Sequence, residues 1–207
     1  MNLSEQFEEA LIYATRAHCN QTRKKTGIPY IAHILGVAAI ALEYGANETE
    51  AIGALLHDTV EDCGGAERLR DIREKFDDDV ASIVDGCTDS DQTPKPPWLD
   101  RKRAYIEHLK DSDSSTRLVS ASDKLHNTRA ILAELRRNGL EVFERFAGKK
   151  DGTLWYYRAL VTAFRQHGDH ADLIDELDRV VSEIEKFVRE RETKPQRTRR
   201  TQRSSAD

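Results

Sequence analysis

The sequence predicts an all-α fold: one helical bundle of about eight to ten helices. Three observations predict it. Apolar residues recur at helical spacing in most segments. No segment alternates apolar and polar residues over the length of a strand. Glycine and proline are scarce, 11 and 5 among 207 residues, and gather at a few punctuation points. A chain of 207 residues is long enough for one sizeable core and short for two domains.

The elements follow in order. "FEEALIYATRAH" carries Phe7, Leu11, Ala14 and Ala17 on one helical face. "YIAHILGVAAIALEYG" is almost wholly apolar and reads as a buried helix that stops at Gly45. "NETEAIGALLHD" starts another, with Asn47 as N-cap and acidic residues in its first turn. "AERLRDIREKF" and "DDDVASIVDGCTD" read as two short helices. "SDQTPKPPWLD" holds three of the five prolines and reads as a loop. Further helices are expected over Leu99–Leu109, Ser114–Arg137, Thr153–His167 and Asp172–Arg191. The domain is expected over residues 1–192. Residues 193–207, with "KPQRTRRTQRSSAD" from Lys194, lack apolar anchors and are expected to be a basic, disordered tail.

Composition narrows the class. The net charge is −5, and 33% of residues are charged with both signs interspersed. No apolar run approaches the roughly 18 residues of a membrane helix. The N-terminus lacks the cationic and apolar regions of a secretory signal. Cys19, Cys63 and Cys87 are an odd number without CxxC spacing, so reduced thiols in a cytoplasmic protein are expected. An acidic chain disfavours stable duplex nucleic-acid binding.

The chemistry concentrates in "ALLHDTVED", Ala54 to Asp62. On a helix, His57 and Glu61 share one face and Asp58 and Asp62 form a neighbouring row, with His57 and Asp58 expected at the helix's C-terminal end. Adjacent His57 and Asp58 can reach one cation, but two ligands hold a metal poorly. His33, in an apolar helix, and Asp123, in "LVSASDKLHNTRAIL", are the candidates to complete the set. Singly, each has a bland reading as a satisfied core histidine or a capping aspartate. Two imidazoles with two carboxylates suit a borderline divalent ion such as Mn²⁺, Fe²⁺, Co²⁺ or Zn²⁺ better than Mg²⁺. Glu61 and Asp62 exceed what one ion needs, which makes them candidates to orient or deprotonate water. Arg23, Lys24 and Lys25 supply cations for an anionic substrate. Asn127, four residues after Asp123, offers an amide that both donates and accepts.

The order His, His-Asp, Asp on a helical chain resembles the HD-domain metal-dependent phosphohydrolases. "QTRKKTGIPYIAH", "ALLHDTVED" and "SDKLHN" resemble the hydrolase domain of the RelA/SpoT family, especially its stand-alone small alarmone hydrolases. The resemblance spans about residue 7 to residue 165. It implies removal of the 3′-pyrophosphate from ppGpp or pppGpp, giving GDP or GTP plus pyrophosphate. It also implies one divalent ion, most simply Mn²⁺, and catalysis by Glu61 and Asp62. Arg23, Lys24, Lys25 and Asn127 are then expected on the substrate. One lysine in "RKK" exceeds the RK pattern of long family members, so the register of that contact stays open. The family's nucleotide-pocket tyrosine falls in "DGTLWYYRAL", where Tyr156 is chosen. "WLDRKRAYIEHL" matches the metazoan relatives and offers Arg101 or Lys102 to the pyrophosphate. His126 is left as a structural residue. The chain has no room for the family's synthetase half, and its homo-oligomeric state is left open. Two other readings remain: another HD nucleotide phosphohydrolase, acting on ppApp or NADPH or as a nucleotidase, and an inactive nucleotide-sensing module.

Overall fold

Polar side chains that accept from exposed backbone amides set where four of the helices start. In the computed structural model, which describes residues 2–24, 26–90 and 94–193, Ser4 Oγ accepts from Gln6 N at 3.2 Å and opens α1 (Glu5–Ala17). Asn47 and Glu50 form a reciprocal capping box, with bonds of 2.9 and 2.7 Å, ahead of α3 (Glu48–Leu56). Asp77 opens α6 (Asp78–Cys87), and Asp113 opens α8 (Ser114–Asn138). Between them lie α2 (Ile31–Glu43), α4 (Thr59–Cys63), α5 (Gly65–Phe76) and α7 (Trp98–Asp111). A 3₁₀ segment (Gly139–Arg145), α9 (Lys149–Arg165) and α10 (Ala171–Thr193) complete the order. Among the described residues there is no strand, only an isolated bridge between Thr22 and Pro29. No described helix is long and apolar enough to cross a membrane.

The bundle is organised around α8, which packs against α2, α3, α6 and α10. A helix surrounded this way has no single apolar stripe. Leu118, Val119, Leu125 and Leu135 are buried, and so are Ser120, Ser122 and Thr128. Those hydroxyls are satisfied locally: Ser122 donates to Leu118 O at 2.8 Å, Thr128 donates to Lys124 O at 2.8 Å, and Ser120 bonds the Tyr105 hydroxyl at 2.6 Å. α10 covers α8 and α9 with Leu173, Leu177, Val180, Val181, Ile184 and Val188, a stripe at helical spacing. Each such side chain contributes about 1.5–3 kcal/mol on burial.

The expected helices are present, with boundaries shifted by a few residues. α9 begins at Lys149, before the expected Thr153, and α10 reaches Thr193, the first residue of the expected tail. Lys25 and residues 194–207 lie outside the described residues. His57 and Asp58 do follow the end of a helix, but Glu61 and Asp62 lie on a separate one, contrary to their expected shared faces. α3 stops at Leu56 and α4 starts at Thr59. The cause is local: His57 Nδ1 donates to Ala54 O at 2.8 Å and the buried Thr59 hydroxyl donates to Leu56 O at 2.6 Å. Side-chain donors thus occupy carbonyls at the end of α3. The histidine and aspartate are left at a corner between two helices.

Candidate metal centre and active site

That corner faces the first turn of α2 and the middle of α8. His33 comes from α2, His57 and Asp58 from the α3–α4 corner, and Asp123 from α8. His33 Nε2 lies 3.3 Å from Asp58 Oδ2 and 3.3 Å from Asp123 Oδ1. His57 Nε2 lies 3.0 Å from Asp58 Oδ2 and 3.9 Å from Asp123 Oδ1. Donors about 2.1 Å from one ion and at right angles are about 3 Å apart, so this spacing fits a shared cation. One donor atom each from His33, His57 and Asp58 lies within 4.8 Å of the others.

The protonation chemistry fits a cation too. Because a carbonyl only accepts, His57 Nδ1 carries the proton it gives Ala54, and its second nitrogen keeps the lone pair in the neutral ring. That Nε2 is buried and has no hydrogen-bond partner; its 3.0 Å approach to Asp58 is not aligned as one. Burial works to lower the His57 pKa, but the charges of Asp58 and Asp123 prevail and raise it to about 9. Burial likewise opposes ionisation of Asp58, yet the charge of His57 and the bond from His33 hold it well below the usual carboxylate range. Ionised carboxylates around a histidine that holds its proton above the usual range make a site rich in negative charge, which a divalent ion would neutralise.

Further residues brace these four. Tyr30, just before α2, donates its hydroxyl to Asp58 Oδ2 at 2.7 Å. His33 Nδ1 faces His126 Nδ1 at 2.8 Å. Lys124 Nζ pairs with Asp123 Oδ2 at 2.6 Å and lies 4.9 Å from the Tyr105 ring centre. Burial would lower the Lys124 pKa, but Asp123 outweighs it and holds the ammonium charged. Sequence reasoning passed over Tyr30 and Lys124, and it left His126 as structural. A signal existed for Tyr30, three residues before His33 at the head of the same helix, and for Lys124 beside Asp123. Nothing in the sequence pairs His126 with His33.

The expected substrate residues divide into groups. Arg23 Nη2 donates to Asn127 Oδ1 at 2.8 Å, and Asn127 donates in turn to Asp123 Oδ1. The α1–α2 loop and α8 therefore meet beside the four candidate ligands. Lys24 is exposed. Glu61 pairs with Lys95 at 2.6 Å and accepts from Asp89 N at 3.4 Å, whereas Asp62 accepts from Gln21 Nε2 at 2.7 Å. The two carboxylates thus turn to different partners. Lys102 pairs with Asp89 at 2.8 Å, and Arg101 pairs with the same oxygen. Lys102 also lies 4.8 Å from the ring centre of Tyr156. Burial and the Lys124 charge lower the Lys102 pKa. Tyr156 is buried, and its hydroxyl has no hydrogen-bond partner. Its ring packs against Trp98 and Tyr157, at 6.3 and 5.5 Å between centroids.

Similarity to known proteins agrees with this geometry. The profile of the HD domain matches residues 10–153. The guanosine-3′,5′-bis(diphosphate) 3′-pyrophosphohydrolase of Xenopus tropicalis is 41% identical over 128 residues, which are 59% of this chain and 68% of that protein. Its Homo sapiens counterpart is 40% identical over 130 residues, 61% of this chain and 69% of that protein. A solved structure, described as a metazoan ortholog of SpoT that hydrolyzes ppGpp, superposes with a TM-score of 0.74 at 28% identity. The match covers 89% of this chain and 98% of that one.

Proposed function

The chain belongs to the HD-domain family, and from that premise we propose that it is a (p)ppGpp 3′-pyrophosphohydrolase, releasing pyrophosphate to leave GDP or GTP. The observation that carries this reading is the convergence of His33, His57, Asp58 and Asp123 from three parts of the fold. Relatives of about 40% identity named for the same reaction support it.

In this reading the four residues hold one divalent ion, and Mn²⁺ suits the mixed nitrogen and oxygen donors. When bound, such an ion polarises a phosphoryl oxygen and acidifies water. The remaining work falls to the chain. Glu61 and Asp62 orient the attacking water and manage its proton. Tyr30 and His126 hold Asp58 and His33 in place through the bonds described above. Arg23 and Lys24, with Lys25, take the phosphate charges, and Asn127 reads the nucleoside beside Asp123. Lys102 exchanges its Asp89 partner for the pyrophosphate, with Tyr156 beneath its ammonium. The site serves a small cytoplasmic nucleotide rather than a nucleic acid.

Incubation with ppGpp and Mn²⁺ tests the reading. Equimolar pyrophosphate and GDP are expected. Orthophosphate as the first product assigns a nucleotidase instead, and no turnover of any 3′-diphosphate removes the proposal.

A further inference from the structure

We infer that Gln21 is a positioning residue that fixes the orientation of Asp62 for the hydrolysis, with His18 as its anchor. The inference rests on the reading of Asp62 as a proton-handling carboxylate.

Asp62 is exposed, on a helix of only five residues. An unrestrained carboxylate there would sample several rotamers, and holding one costs conformational entropy. Gln21 Nε2 reaches it from the α1–α2 loop at 2.7 Å. A carboxylate accepts, so the amide must present its nitrogen to Asp62 and its oxygen to the other side. On that side Gln21 Oε1 lies 2.7 Å from His18 Nδ1, which therefore carries the ring proton and donates. His18 is buried, and its Nε2 has no hydrogen-bond partner. The tautomer that leaves Nε2 with only a lone pair is the one that avoids orphaning a buried N–H donor.

The anchor is itself fixed. The His18 ring packs against Tyr30 at 5.0 Å between centroids, and Cys63 Sγ lies 3.5 Å from His18 Nδ1. Gln21 O accepts from Tyr30 N at 2.9 Å. Tyr30 in turn donates to Asp58. The loop thus references Asp62 to the same tyrosine that braces Asp58. A chain running His18 to Gln21 to Asp62 directs every donor toward the carboxylate. The Gln21 side chain bonds Asp62, His18 and Cys63 and none of the four ligand side chains, while its contact with Tyr30 is through the backbone, so a change of the amide alone is read through Asp62.

Steady-state kinetics on ppGpp with Mn²⁺ test this, using Gln21→Ala and the near-isosteric non-donor Gln21→Met, each also combined with Asp62→Asn. Removing one hydrogen bond is expected to lower kcat about tenfold while KM changes less than about twofold. In the Asp62→Asn background, measured under single turnover, neither Gln21 change should cost anything further. If Gln21→Ala fails to fold, Gln21→Met carries the test, because it keeps the volume of the side chain. Unchanged kcat in Gln21→Met, alongside a large loss in Asp62→Asn, overturns the inference but leaves Asp62 catalytic. Equal losses from Gln21→Met in both backgrounds also overturn it. Wild-type turnover by Asp62→Asn removes the reading of Asp62, and the inference falls with it.

Discussion

Nδ1 of His33 and Nδ1 of His126 face each other at 2.8 Å across the α2–α8 interface. One proton must sit between them. If His33 offers Nε2 to a cation, its Nδ1 keeps the proton and donates it, so His126 must accept through a bare Nδ1. Burial and the neighbouring charge of His33 push the His126 pKa down to about 4, which keeps that ring neutral and able to accept.

His126→Ala is therefore expected to weaken Mn²⁺ binding about 10–100-fold, because His33 loses the partner that fixes its ring. Gly36→Ala should act in the same direction with His126 still present. A Cβ at Gly36 would lie 2.3 Å from His126 Cδ2, so the ring must move. Calorimetric titration of the metal-free protein with Mn²⁺ measures both. Wild-type affinity in both variants would contradict this role for His126.

Thermal stability should link metal and pH. The His57 pKa in the metal-free chain is about 9, above its ordinary value of 6.5, because the Asp58 and Asp123 charges outweigh burial. A pKa raised by folding stabilises the metal-free chain fully below about pH 6.5, and that contribution is lost as pH rises through about 9. Nε2 also surrenders this proton when it takes up a metal. The gain in Tm on adding a fixed excess of Mn²⁺ should thus grow between about pH 6 and pH 9. Differential scanning fluorimetry at the two ends decides it, and an equal gain at both would refute the linkage.

Asp123→Ala should cost stability as well as turnover. Lys124 is largely buried, with only 12% of its side chain exposed, and Asp123 is its ion-pair partner. Truncating that partner leaves an uncompensated charge, at the lower end of roughly 3–5 kcal/mol because some solvent reaches it. Asp123→Ala combined with Lys124→Met should recover most of that loss in urea denaturation and none of the turnover. Recovery of turnover would exclude Asp123 as a ligand.

Arg23→Ala should raise KM for ppGpp about tenfold or more while moving Tm little. The guanidinium is half-buried, and its hydrogen bond to Asn127 joins two groups proposed to meet the substrate. Arg23→Lys should recover only part of the loss, since an ammonium lacks the planar fork. A large fall in Tm with unchanged KM would assign Arg23 a structural role.

Much of the fold was legible because helix formation is written locally. The stripe of α10 and the cap at Asn47 depend on neighbours a few residues apart. The short α4 was hidden because the bonds that end α3 come from side chains, His57 and Thr59, whose rotamers depend on packing. The candidate ligands were legible for a different reason. A histidine or aspartate on a buried helix must be satisfied somewhere: His33 and the His57–Asp58 pair follow or interrupt apolar stretches, and Asp123 lies within an amphipathic helix. Gln21, in a loop without periodicity, gave no such sign.

By itself, then, the sequence determined which segments are helical, which carry polar groups among apolar ones, and which residue types could hold a cation. Only the tertiary structure decided which of them meet one another. Pairings such as His33 with His126, Gln21 with Asp62 and Tyr30 with Asp58 bridge separations of 93, 41 and 28 residues. No local propensity encodes contacts of that range. They arise because the apolar faces of α2, α3 and α8 are buried together, and the polar groups on those helices and on the segments joined to them arrive with them.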